Sequence, residues 1–200
     1  SRYHLEGLSR EELDAYLDGL DREVGPGALS KISVQTGTAH GGVVLPDGSL
    51  AQVSIDFDTL KRLSRKARER GLAGAVQHGA STLPDDAFHH FPEAECAEIH
   101  LATGFQNFIL DHPALSGLSE KVRETVQERF SKERAPGETD AQFLYKTRKK
   151  ALGPLKKVLW DLPSEKREEI GRGLEEKFGL IFDKLRIKGT RKEIDTWVRG

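Results

Sequence analysis

The sequence predicts an α/β fold of parallel strand–helix units, on three observations. Short apolar runs at residues 31–36, 72–78 and 97–102 have strand character and alternate with amphipathic helical segments. The first two runs each lead into a histidine followed by glycine, and the third ends in Thr103-Gly104. Right-handed crossovers between parallel strands then place all three C-terminal strand ends on one side of the sheet.

The elements follow in order. Residues 8–20 carry Leu8, Leu13, Leu17 and Leu20 at near-helical spacing, with Ser9 as N-cap three residues before Glu12, and Gly25-Pro26-Gly27 ends this helix. The strand at 31–36 leads into the loop that holds His40. Residues 58–70 form an amphipathic helix with Leu60 and Leu63 inward and Gly71 as its terminator. The strand at 72–78 ends in His78-Gly79, a short helix runs through Phe88 and Phe91, and the strand at 97–102 precedes a helix from Phe105 to Leu110. After Asp111-His112-Pro113 the composition shifts to charged helical segments at about 118–132, 139–152 and 164–186. This divides the chain into residues 1–115 with the strands and a helical extension over 116–200.

Composition narrows the function classes. The 200 residues include 36% hydrophobic and 32% charged ones, enough for one substantial core and unlike a disordered chain. With 31 basic and 32 acidic residues there is no broad positive field, which argues against nucleic acid or an anionic membrane as partner. Cys96 is the single cysteine, so no internal disulfide forms and a reducing, cytoplasmic setting is expected. No apolar run reaches transmembrane length. Ser1 as first residue and the lack of methionine suggest a piece of something longer.

GTAHG at residues 37–41 and QHGAS at 77–81 each set an imidazole at a strand end beside a glycine that lets a ligand approach the backbone. Two such imidazoles suit zinc, whose catalytic sites keep three protein ligands and one open position; alternatively each histidine only hydrogen-bonds a neighbouring strand. Ser81 and Thr103-Gly104 offer hydroxyl and amide donors, and the helix opening there attracts an anion such as phosphate, unless Thr103 acts simply as its N-cap.

GTAHGG, QHGAS and IHLATG resemble, in order, segments of the class II, zinc-dependent fructose-bisphosphate aldolases, over about residues 31–112. The resemblance implies a (β/α)8 TIM barrel of which this chain holds the C-terminal strands. It also implies a catalytic zinc and reversible cleavage of a ketose bisphosphate into dihydroxyacetone phosphate and an aldehyde. It places His40 and His78 on two zinc-ligand positions and Gly41, Gly79, Ser81, Thr103 and Gly104 at the substrate phosphate. The third zinc histidine and the catalytic aspartate then belong upstream of Ser1. His100 stands where the family usually has a substrate-contacting asparagine, so it is either a polar substitute or a strand histidine. Ala102 replaces a usual acidic residue, and Gly42, Val43 and Val44 replace an aromatic and a lysine. The expected partners are a phosphorylated ketose and further copies of the chain. The rival readings are a non-catalytic protein of the same build and another metal-dependent sugar-phosphate enzyme.

Other features carry less. His89 and His90 are adjacent and on a helix point in different directions, sharing a ligand poorly. The run at residues 146–150 reads as a solvated helix face rather than a phosphate grip, Trp160 and Trp197 as packing anchors, and Cys96 as a small core residue rather than a nucleophile.

Overall fold

The first helix grows from its cap. Ser9 Oγ accepts the Glu12 N–H (3.1 Å) while the Glu12 carboxylate accepts the Ser9 N–H (2.7 Å), a reciprocal box that starts α1 (Arg10–Val24). The computed structural model describes residues 9–38, 42–51 and 54–198. Leu13 and Leu17, one helical turn apart, are buried against α2 (Phe57–Glu69), whose own inner face is Leu60, Leu63, Ser64 and Ala67. Asp56 caps α2 by accepting from the Thr59 N–H and hydroxyl at 2.9 and 2.7 Å. On the outside, Arg70 reaches Asp14, Asp18 and Asp21 of α1, which sit on one helix face at spacings of four and three.

The two helices flank a parallel sheet of order β1 (Ile32–Val34), β2 (Ala75–Gln77), β3 (Glu98–Ile99), in register Val34↔Gln77 and Gln77↔Ile99. β2 is buried throughout, as the central strand of a parallel sheet must be. Ser64 fastens it from α2: its hydroxyl donates to the Glu95 carbonyl (2.5 Å) and accepts the Ala75 N–H (3.0 Å). Phe88 and the α3 (His90–Glu93) residue Phe91 complete this core, joined by Ile181 of α8 (Ser164–Lys184). Beyond α4 (Thr103–Leu110), a second core gathers Leu115, Leu118, Val122, Val126, Phe143, Ala151 and Ile170, from α5 (Ser119–Phe130), α6 (Asp140–Thr147), α8 and the turns between them. α7 (Lys156–Trp160) and α9 (Arg191–Trp197) are peripheral.

The barrel expectation is overturned. The described residues are predominantly helical and hold one open sheet of three short strands, in which β1 and β3 are both edges. A closed barrel needs eight mutually paired strands, and the charged second half forms helices instead. The tryptophans are corrected too: Trp160 is 75% exposed and Trp197 83%, so neither anchors its helix. Their helices are short, five and seven residues, and bury no residue that would draw an indole inward.

One polar side chain lies at the centre of the sheet. Gln77 is fully buried; its Nε2 donates to Thr38 Oγ1 (2.9 Å) and to the His78 carbonyl (2.7 Å), and its Oε1 accepts from Thr36 Oγ1 (2.6 Å). Thr38 Oγ1 donates to the same His78 carbonyl (2.7 Å). Replacing Gln77 by leucine keeps the volume but leaves these buried groups without partners, so Gln77→Leu is expected to cost about 2–4 kcal/mol. Urea denaturation checks this through a lower midpoint at unchanged slope.

Candidate functional site

The Gln77 hydrogen bonds collect the strand ends into one rim. Thr38, held on the His78 carbonyl, leads into the segment 39–41, so His40 and Gly41 lie outside the described residues. The chain is described again from Gly42, where an added Cβ would stand 3.4 Å from Thr82 Oγ1; the two flanks of the His40 segment therefore bracket the turn after β2. The segment 42–51 is pinned from α6: Thr139 Oγ1 donates to the Pro46 carbonyl (2.8 Å) and Gln142 Nε2 to that of Val44 (3.0 Å).

His78 and His100 meet on this rim. Their ring centroids are 4.2 Å apart at 59°, and the His100 N–H donates to the Gln77 carbonyl (2.9 Å). The His100 Nε2 contacts Glu98 Oε1, and Glu98 Oε2 takes the Lys31 ammonium from β1's start. The ammonium first and the imidazole second hold the Glu98 carboxyl below the usual carboxylate range. The resulting chain, Lys31–Glu98–His100–His78, spans all three strands.

Next to the imidazoles the chain turns sharply. Gly79 takes a left-handed backbone (φ 71°, ψ 15°), which turns the chain directly out of β2 into the tight turn Ala80–Thr82. That turn packs on the first residues of α4: a Cβ on Gly104 would lie 2.2 Å from the Ser81 carbonyl oxygen, so only glycine fits. α4 begins at Thr103 with Ala102 in the cap position and no side-chain cap, which leaves its first amides available to a ligand; Thr103 is not the N-cap. His78, Gly79, Ser81, His100, Ala102 and Thr103 thus line one hollow of about 500 Å³. Of the residues singled out in the sequence, His78, Gly79, Ser81, His100, Thr103 and Gly104 are brought together.

For zinc the rim offers two imidazoles, and among the described residues no third histidine, cysteine or carboxylate closes a ligand group with them. His78 and His100 are neighbouring imidazoles, a partial nitrogen set, and Glu98 on the second is the kind of outer carboxylate that orients a ligating histidine. Cys96 adds nothing, since it is half-buried with its sulfur toward the Ala75 and Glu98 carbonyls, and burial pushes its thiol pKa up.

The basic run keeps its lysines exposed, as a solvated face requires, but Arg148 turns inward. A second hollow of about 480 Å³ shares Thr103 with the first and is lined by Asn107, Gln142, Tyr145, Lys146, Arg148 and Lys149, among others. Arg148, only 16% exposed, grips the Asp111 carboxylate with both guanidinium nitrogens, donates to Asn107 Oδ1 (2.7 Å) and lies over the Tyr145 ring at 5.1 Å. Lys146 pairs with Glu138. Only the irregular turn at Arg148–Leu152, which breaks the periodicity after α6, turns Arg148 inward, and no spacing rule signals it. Gln77, the organiser of the rim, heads the QHGAS segment, yet nothing in its spacing marks the side chain as buried.

No protein-family model matches the chain, and no curated protein matches it.

Two outcomes follow from this geometry. Gly104→Ala must push α4 off the Ser81 carbonyl; the variant is expected to fold with a lowered thermal midpoint and to move the Gly79 amide resonance, read by circular dichroism and NMR. For Glu98, the folded carboxyl value lies below the unfolded one. Its contribution to stability is therefore complete above the ordinary carboxylate value of about 4.3 and lost as pH falls through the lowered folded value. Glu98→Gln should flatten that acid-side fall when urea midpoints are compared across pH.

Proposed function

We propose that this rim binds a phosphorylated ketose and that the protein is a metal-dependent carbon–carbon lyase, an aldolase of the fructose 1,6-bisphosphate type releasing dihydroxyacetone phosphate and an aldehyde. One observation carries the reading: the His78–His100 imidazole pair lines the same hollow as Gly79, Ser81 and Thr103, all contributed by neighbouring strand ends. A ketose phosphate needs that combination, because its carbonyl lies only one or two carbons from its phosphate. The motifs GTAHGG, QHGAS and IHLATG support the same reading from sequence.

In this proposal the amides of α4's first turn and the Ser81 and Thr103 hydroxyls receive the phosphate. Zinc, held by His78 together with His40 or His100, supplies Lewis-acid polarisation of the ketone when bound. His100, oriented by Glu98, meets the sugar hydroxyls. Across Thr103, Lys146 and Lys149 offer charge to the second phosphate of a bisphosphate, while Arg148 braces the wall behind them. Among the described residues no helix is long and apolar enough to cross a membrane, and the single half-buried cysteine suits a reducing cytoplasm.

The test is turnover of fructose and tagatose 1,6-bisphosphate by the zinc-supplemented protein, read as dihydroxyacetone phosphate. Expected are activity abolished by chelators and insensitive to borohydride, with Ser81→Ala raising KM for the phosphorylated substrate more than it lowers kcat. Borohydride inactivation with chelator resistance overturns the metal mechanism; saturable sugar-phosphate binding without turnover assigns a binding protein instead.

A further inference from the structure

A different group of side chains, on the helical turn between β2 and β3, has the makings of a second metal centre. Residues Asp85–His89 form a 3₁₀ turn that passes directly into α3, and at this junction His89 and His90 do not diverge as neighbours on a regular helix do. Their rings fold together, with centroids 3.8 Å apart at 42°. Glu93 joins them: its Oε2 lies 3.2 Å from His90 Nδ1, and one ligand atom from each of the three residues falls within 4.8 Å of the others. At tetrahedral angles, metal–ligand bonds of about 2.0–2.2 Å set two ligands of one ion about 3.3–3.6 Å apart. The 3.2 Å contact of His90 and Glu93 already matches that spacing, and rotation of the exposed side chains closes the rest, by up to about 1.5 Å.

The surroundings hold this group in place. The His90 ring leans on Phe57 (5.0 Å between centroids), which in turn meets the buried Phe91 edge-on at 5.2 Å. Glu93 is held through its other oxygen: Arg186, just past the end of α8, donates to Oε1 at 3.2 Å and leaves Oε2 facing the imidazoles. The arrangement separates a ligating oxygen from an orienting one, as outer partners of metal ligands do.

We propose that His89, His90 and Glu93 bind a divalent transition ion of the zinc class, with Arg186 as the positioning residue for Glu93. Two imidazoles and one carboxylate match the His2Glu donor set that zinc accepts with a fourth position left to water, and imidazole favours zinc, copper or nickel over magnesium or calcium. Bound there, the ion strengthens the join of α3 to the end of α8 through Glu93 and Arg186, beside the packing of Ile181 on Phe91. The site is independent of the rim, since it uses none of its residues.

The experiment titrates the full chain with Zn2+ by calorimetry and with Co2+ by visible absorption, in the wild type and in a His78→Ala/His100→Ala background that removes the rim donors. Expected in that background are one Zn2+ equivalent, tetrahedral Co2+ bands and a rise in thermal midpoint on adding Zn2+. Glu93→Gln, an exposed and conservative change, should weaken Zn2+ more than about tenfold, and Arg186→Gln about tenfold. His89→Ala/His90→Ala should remove the equivalent altogether, with circular dichroism reporting its folding. If the rim-deleted background binds no Zn2+, or if Glu93→Gln binds it with wild-type affinity, the site is refuted.

Discussion

Everything on the rim depends on the need of Gln77 for partners. An amide buried at the centre of a parallel sheet must find several hydrogen bonds or destabilise the fold. Here it finds them on Thr36, Thr38 and the His78 carbonyl, while its own carbonyl takes the His100 N–H. The side chain thus draws the ends of β1 and β2 together, and the backbone brings β3.

Two kinds of electrostatics act on either side of this knot. The alternation of charge along Lys31, Glu98 and His100 is local and half-exposed, so it orients more than it stabilises. The turn into α4 works through backbone instead. Ala102 at the cap position offers no side-chain oxygen to the first amides of α4, and Gly104 lets the turn at Ser81 press directly against the helix. Beyond it Arg148 spends its charge on Asp111 and its plane on Tyr145, so its contribution is rigidity of the wall while the neighbouring lysines face solvent.

The sequence made the strands legible because each is a short apolar run closed by a turn signal, and the observed β1, β2 and β3 lie inside the runs read from it. It also placed His78, Ser81 and Thr103 on one side, since parallel strands share a direction. It misled about closure. Local patterning says which segments extend, while the number of strands that pair is a property of the whole chain, and the charged second half supplies helices. It misled about Arg148, Trp160 and Trp197 as well, because what decides their burial is the turn or short helix end that carries them. His40 lies outside the described residues, so its place among the ligands rests on the motif.

The Gln77 knot also has a history in time. Its side chain joins residues 41 and 39 positions away, and contacts between such distant parts of a chain must wait for the intervening loop to close. α1 and α2, whose contacts are largely within themselves, can form early, but the rim cannot exist before β1 and β2 have docked. Local order and global order are therefore acquired at different stages of folding. A ligand that recognises only the finished rim has no purchase on the unfolded chain, and by mass action it stabilises the entire native state.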